Sequence, residues 1–570
     1  MSRIIGIDLG TSTSEVAILE NGKPMVIKNR EGDMITPSVV GINGKGEIIA
    51  GREAKDQYLL RPRDTVIEVK RLMGSGRKVK MGDKEYTPEE ISSHILKYLK
   101  GCAEDYLGEP ATRAVITVPA YFTDEQRRAT VEAGRLAGFK VERIINEPTA
   151  AALAYGIDHM EDNLHVLVYD LGGGTLDVTV LEMFEGVLEV KASSGNNRLG
   201  GKDFDERLMK EIIRYFEDQT GVDISEDPRA AARLKNAVEE CKIALSSQIG
   251  YRIELPLLAE KDGSPLALEK TVSRNEFENL IRDLVESTRQ PIEAALKDAG
   301  LEPQDIDIVL PVGGSTRIPL VMKFLKEVLG QEPRALVDPD LAVASGAAIQ
   351  AGILADELSA EKDILITDVC PYTLGTEVLS FFGGFPVDDV YDIIIPRNTT
   401  IPVTRKKVYG TVADNQQAVD IKVYQGDYKK ASRNNLLGKF TLSGIPPAPA
   451  FTEKIEIGFT YDANGILQVE GTILSNGQRA GLTIETAGVE MEPELDLGKW
   501  KEAPGARKYR GLIRRAEKAL KAGGNQLFEG ELDELVRDIK KALLKGESNR
   551  LKELEEELTD LLYDLEDTDE

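Results

Sequence analysis

Apolar residues along this chain fall in short runs broken by small polar turns, and one such pattern occurs twice. Residues 4–19 read IIGIDLGTSTSEVAIL and residues 166–181 read VLVYDLGGGTLDVTVL, an offset of 162. Asp8 falls with Asp170, Gly10 with Gly172, Thr13 with Thr175 and Glu15 with Asp177. Two apolar runs flanking a Gly-containing turn predict a β-hairpin in each copy. Small residues at the turn let backbone N–H groups approach an anion. Two copies a domain length apart predict two similar α/β lobes with phosphates clamped between the turns. A third element, Asp307–Leu310 followed by Pro311-Val312-Gly313-Gly314-Ser315-Thr316-Arg317, predicts a strand and a glycine turn that hold a nucleotide at a helix start.

Past Cys370 the pattern changes to short alternating strands up to about residue 485. They are separated by turns such as Asp462-Ala463-Asn464-Gly465 and Ser475-Asn476-Gly477. This predicts an antiparallel β-sandwich. From about 504 to 566 three apolar stripes recur at helical spacing: Tyr509, Leu512, Ile513, Ala516 and Leu520; Leu532, Leu535, Val536, Ile539 and Leu543; and Leu551, Leu554, Leu558, Leu561, Leu562 and Leu565. They predict a small helical bundle.

Composition narrows the function. A chain of 570 residues with 41% hydrophobic and 29% charged content suits several globular units. The net charge of −26, with no large Lys/Arg block, argues against nucleic acid as main partner. It also means that an ATP site needs local cations and a metal. Cys102, Cys241 and Cys370 have neither metal nor disulfide spacing, and His94, His159 and His165 lack partners at metal spacing. No secretory signal precedes the first strand, and nothing approaches the ~18 apolar residues of a membrane helix. A cytoplasmic protein is expected, with no membrane partner.

The motifs DLGTST, VPAYFTDEQRRAT, INEPTAAALAYG, DLGGGTLDV, RLGGKDFD and GGSTRIP resemble the ATPase domain of the seventy-kilodalton heat-shock chaperones of the DnaK type. ADNQQAVDIKVYQG and LGKFTLSGIPPAP resemble their substrate domain. The resemblance implies a multidomain architecture. An actin-like α/β ATPase with two lobes occupies 1–360, a linker 361–369, a β-sandwich 370–488 and a shortened helical domain 500–567. Four carboxylates, Asp8, Glu147, Asp170 and Asp177, would repel ATP without a cation, which a Mg²⁺ keeping several waters provides. By resemblance Asp8 and Asp170 surround that metal shell, with K⁺ as a candidate second ion. Glu147 and Asp177 polarise water, and Lys70 reaches the γ-phosphate.

Thr11, Ser12, Thr13 and Thr175 meet the phosphates, with Gly172, Gly173, Gly174, Gly200 and Gly201 around them. Glu239, Lys242 and Ser246, on one helical face, take adenosine with Gly313, Gly314, Ser315, Arg317 and Asp340. Arg317 is suited to stack on adenine. Pro119 and Arg127 match the pair that relays nucleotide state. Arg143, Asn146, Thr149 and Asp368 match positions that meet a J-domain co-chaperone, and a GrpE-type nucleotide-exchange factor is the other implied helper.

The linker carries Ile364-Leu365-Ile366, too apolar for an inert tether. An ordinary strand of the next domain is one reading; the resemblance favours a switch that docks on the ATP-bound lobes. Positions matching the peptide pocket are Val378, Leu379, Tyr409, Val412, Val419, Ile421 and Ile466. There an extended client polypeptide inserts an apolar side chain. Between Thr486 and Pro504 a Glu/Pro-rich stretch stands where a long lid helix begins in the family. The expected function is an ATP-dependent chaperone for unfolded clients, with a specialised lid-less homologue as the alternative. A metabolite kinase or an actin-like filament protein leaves residues 363–485 unexplained.

Overall fold

The computed structural model describes residues 3–157, 159, 162–225, 227–261, 264–358, 364–382, 385–483, 500–501, 503–521, 526–545 and 548–567. They form two compact units, Met1–Val489 and Glu490–Glu570.

The larger unit contains the predicted duplication. In one sheet the strands Ile4–Leu9 and Thr13–Glu20 form a hairpin whose first strand pairs in parallel with Arg113–Val118. In the other, Leu164–Leu171 and Leu176–Phe184 form a hairpin whose first strand pairs in parallel with Ile308–Val312. The register places Asp8 opposite Glu15 and Asp170 opposite Asp177. The strands are apolar on both faces because helices cover both, as expected of α/β layers. Ile5, Ile7, Val168 and Leu310 are fully buried.

Two helices poor in large side chains, Glu147–Gly156 and Ala342–Leu354, pack together with almost no space between them. A Cβ added at Gly346 would lie 1.7 Å from the Ala150 carbonyl oxygen. The second helix also presses on the first strand, where a Cβ at Gly6 would meet the Ala348 nitrogen at 2.2 Å.

The stretch expected to be a linker continues the second sheet. Leu365–Val369 pairs in parallel with Val187–Asn196, Val187 opposite Leu365 and Leu188 opposite Ile366. Strand alternation then divides the three apolar residues. Ile364 and Ile366 pack on the core beneath, whereas Leu365 points outward and is 58% exposed.

The sandwich has two four-stranded antiparallel sheets. One contains Leu374–Phe382, Phe385–Ile395, Ala418–Gln425 and Asn435–Ser443; the other contains Val403–Gly410, Lys454–Tyr461, Leu467–Ile473 and Arg479–Thr483. Alternation sends Ile421, Val423, Ile455, Ile457 and Phe459 into the core between them.

In the smaller unit the helices Ala506–Lys521, Gln526–Lys545 and Ser548–Asp567 bury the predicted stripes around Trp500. The side chains of Leu520 and Leu565, and nearly all of the Glu/Pro-rich stretch, lie outside the described residues.

Candidate functional site

Both hairpin turns and the third glycine turn open onto one cavity of about 370 Å³. The end at the two hairpin turns is walled by Asp8, Gly10, Thr11, Ser12, Thr13, Lys70, Glu147, Asp170, Gly172, Gly173 and Thr175. Its far end is walled by Glu239, Lys242, Ser246, Gly313, Gly314, Ser315, Arg317 and Asp340. Gly313 sits at φ 80°, and a Cβ there would come 2.6 Å from the Leu171 carbonyl, so only glycine fits this turn. Asp177, Gly174, Gly200 and Gly201 do not line the cavity. Gly174 faces Thr11 of the first turn, while Gly200 and Gly201 pack behind the second, where Gly201 N–H donates to the Gly172 carbonyl at 2.9 Å. Arg317 is held at the mouth by Asp340 at 2.6 Å and Asp338 at 3.1 Å.

The floor is strongly acidic. Lys70 Nζ meets Glu147 Oε1 at 2.5 Å, both side chains nearly buried. Thr117 Oγ1 donates to Asp8 at 2.8 Å, and the Tyr121 N–H donates to Asp177 Oδ1 at 3.0 Å. Burial raises the carboxyls of Asp8 and Glu147 even though Lys70 pulls both down. Burial together with the charges of Glu147, Asp177 and Asp8 raises Asp170 well above the carboxylate range. Burial pushes Asp177 up to about 6, against the Tyr121 N–H and Lys70. One lysine thus faces several carboxyls, and Asp177 Oδ2 has no hydrogen-bond partner. Such a floor accepts a polyphosphate only together with a cation. Among the described residues no three His, Cys, Asp or Glu groups are arranged to grip a metal directly.

Behind the floor the relay and co-chaperone positions meet in one network. Pro119 starts the turn that carries Tyr121, its carbonyl accepting from the Phe122 N–H at 3.1 Å. Arg127 donates to the Ala120 carbonyl at 2.9 Å and to Asn146 Oδ1 at 2.8 Å. Asn146 Nδ2 and Thr149 Oγ1 donate to Asp368 Oδ2 at 2.7 and 3.2 Å. Arg143 is pulled down by burial and held up by the charge of Asp368.

At the outer end of the sandwich Val378, Leu379, Tyr409, Val412 and Val419 stay partly or largely exposed. Tyr409 donates to Asp392 at 2.7 Å. Two expected pocket residues do not join them. Ile421 is 2% exposed and belongs to the sandwich core. Ile466 follows the turn at the opposite end of Lys454–Tyr461, since Gly410 pairs with Lys454 and Val403 with Tyr461. That turn lies against the first lobe: Asn464 accepts from the Ile144 N–H at 3.0 Å, and the Leu467 N–H donates to Asp124 at 2.7 Å.

Comparison with known proteins settles the family. The family model described as Hsp70 protein matches residues 4–78 and 75–569. The chain belongs to the Hsp70 family. It is 47% identical over 573 residues to the chaperone protein DnaK of Thermosipho africanus (strain TCF52B), covering 97% of this chain and 94% of that one. Against the chaperone protein DnaK of Thermosipho melanesiensis it is also 47% identical over 573 residues, covering 97% and 95%. This Hsp70 chain is an ATP-dependent chaperone that hydrolyses ATP. The alternative of a specialised lid-less homologue is not favoured, because the family match runs to residue 569. Among the described residues no helix is long and apolar enough to cross a membrane.

Several residues that line the cavity were not assigned to it from the sequence. Glu15, Ile243, Val312, Ile318, Pro339 and Val343 also line the cavity. Ile243 lies four residues beyond Glu239 on the same helical face, so spacing could have found it. Asp124, Arg128, Tyr121 and Tyr372 hold the sandwich against the lobe, with Tyr372 Oη donating to the Tyr121 carbonyl at 2.5 Å. Three of the four lie in the motif VPAYFTDEQRRAT, but no local pattern shows that they meet the sandwich.

Proposed function

We propose that the cavity holds ATP with its phosphates between the two hairpin turns and its adenosine against Glu239, Lys242, Ser246 and Arg317. The observation that carries this is the Lys70–Glu147 pair at 2.5 Å, set where both turns converge among carboxyls raised by burial. Bound Mg²⁺ supplies charge neutralisation at the β- and γ-phosphates. Asp8 and Asp170 orient its water shell, and K⁺ is the candidate second ion.

Lys70 fixes the γ-phosphate, while Glu147 and Asp177 orient the attacking water. Hydrolysis is then mostly positioning and charge compensation. Residues 1–360 act as the ATPase domain, 361–369 as the switch, 370–488 as the client domain and 500–567 as the helical domain. An extended client segment lies across Val378, Leu379, Tyr409, Val412 and Val419, giving one apolar side chain to the groove. The largely buried network of Arg143, Asn146, Thr149 and Asp368 lies at the site where a J-domain co-chaperone acts, and a GrpE-type factor exchanges the nucleotide. Three buried thiols suit a reducing cytoplasm.

The test is single-turnover hydrolysis of ATP by the full chain. Lys70→Ala and removal of Mg²⁺ with EDTA are each expected to slow hydrolysis at least about a hundredfold, the range of a lost electrostatic contact at a reacting phosphate. Turnover at the wild-type rate in either case removes that group from the site.

A further inference from the structure

Lys70 is delivered to the cavity by an unusual piece of backbone. Glu68 stands at φ 59°, the left-handed region, between the strand Thr65–Ile67 and the short helical turn Val69–Leu72. A non-glycine residue is strained there and persists only when its surroundings hold it. The holding groups come from across the cleft. Lys235 Nζ lies 2.5 Å from the Glu68 carboxylate and Lys202 Nζ lies 3.6 Å from it.

Both lysines belong to helices of the second lobe, Gly201–Thr220 and Pro228–Ser247. Burial alone would raise the Glu68 carboxyl, yet the two lysines outweigh it and hold it below its ordinary value. Lys202 is itself buried and also meets Glu239 at 3.5 Å. A small hollow of about 50 Å³ separates this cluster from Thr11 and Ser12 of the first phosphate turn.

We infer that Glu68 is a positioning residue: its carboxylate, gripped by Lys202 and Lys235, latches the lobes together over bound nucleotide and sets the turn that aims Lys70. The inference rests on reading the cavity as the ATP site. Loss of the Glu68 charge leaves two cations with fewer carboxylates to face, so the closed cleft loses free energy while the open cleft does not. The same loss frees the left-handed turn, and Lys70 two residues on loses its fixed approach.

The test uses the full chain and two measurements: release of methylanthraniloyl-labelled ADP by stopped flow, and single-turnover hydrolysis of bound ATP. Glu68→Gln removes the charge and keeps the shape. Glu68→Gly removes the charge and relieves the backbone, so it guards against a folding defect. Both are expected to release labelled ADP about tenfold faster, the equivalent of one broken, partly buried ion pair. Both are also expected to hydrolyse bound ATP several-fold more slowly, with Glu68→Asp recovering part of each effect. Release at the wild-type rate in both variants overturns the latch. Faster release with unchanged single-turnover hydrolysis overturns the aiming of Lys70. Failure of the wild-type chain to bind labelled ADP would instead overturn the ATP-site reading, so the two failures are distinct.

Discussion

Asp177 answers two demands that pull in opposite directions. In the proposed mechanism hydrolysis wants a carboxylate beside the attacking water; folding wants no unpaired charge in a fully buried place. Its carboxyl is pushed up to about 6 by burial, above the ordinary value of 3.8. Between those values the native state holds the proton more tightly than the unfolded chain. The group therefore favours the fold at the acid end of the window and loses that contribution as pH rises through it. Asn in its place keeps an oxygen to accept from the Tyr121 N–H. Asp177→Asn without nucleotide is expected to be more stable than the wild type at pH 7 by up to about 3 kcal/mol, and to lose nearly all hydrolysis. Denaturant melts at pH 7 and pH 5 check this. The stability gain should shrink at pH 5, and a variant no more stable at pH 7 would refute the account.

The cavity's residues were legible where a local pattern carries them, as in the duplicated Asp-Leu-Gly turns and Gly313-Gly314 at the third turn; Glu147 and Lys70 came only with the family resemblance. Glu15 was visible as the partner of Asp177 in the duplication. Its burial beside Asp8, which raises its carboxyl well above the ordinary range, depends on strand pairing that no local pattern records.

At the scale of elements, Leu365–Val369 is the most instructive. Its apolar run signalled a segment that needs a partner, but alternation alone cannot say which sheet edge will receive it. The edge is Val187–Asn196, and the pleat decides which side chains matter. Ile366→Asp would drive an unpaired charge into the core beneath and should detach the strand. Client peptide is then expected to lose its effect on ATP turnover, since a coupling of only about 1–3 kcal/mol links the two sites. Leu365→Asp places the same charge in solvent and should leave peptide stimulation intact. Steady-state ATPase with and without an apolar peptide separates the pair, and equal behaviour of the two variants contradicts the pleat argument.

Ile466 teaches the converse. Its turn, Asp462 to Ile466, reads as the start of a strand, and the sequence gives no sign of which end of the sandwich it occupies. Only the register of Lys454–Tyr461 against Val403–Gly410 assigns it to the lobe side.

At the scale of the molecule, the terminal helices have a core of their own built on Trp500, Ile513, Ile539 and Leu558. A unit that buries its apolar stripes internally has what it needs to fold alone. A chain ending at Val489 is therefore expected to keep its main thermal transition within about 2 °C and to keep its basal ATPase. Calorimetry and turnover of the shortened chain test this; a transition lowered by more than that, or lost turnover, would contradict it.

The contact between the helices Glu147–Gly156 and Ala342–Leu354 has a wider meaning. Interlocking side chains act like gear teeth and must change rotamers whenever one surface turns on another. Where Gly346 meets Ala150 there are almost no teeth, only backbone on backbone. The joint resembles a plain bearing set between the two sheets, with no interlocking side chains at that point to key one helix to the other. Its tolerance is correspondingly tight: a single methyl at Gly346 would act as grit in the journal.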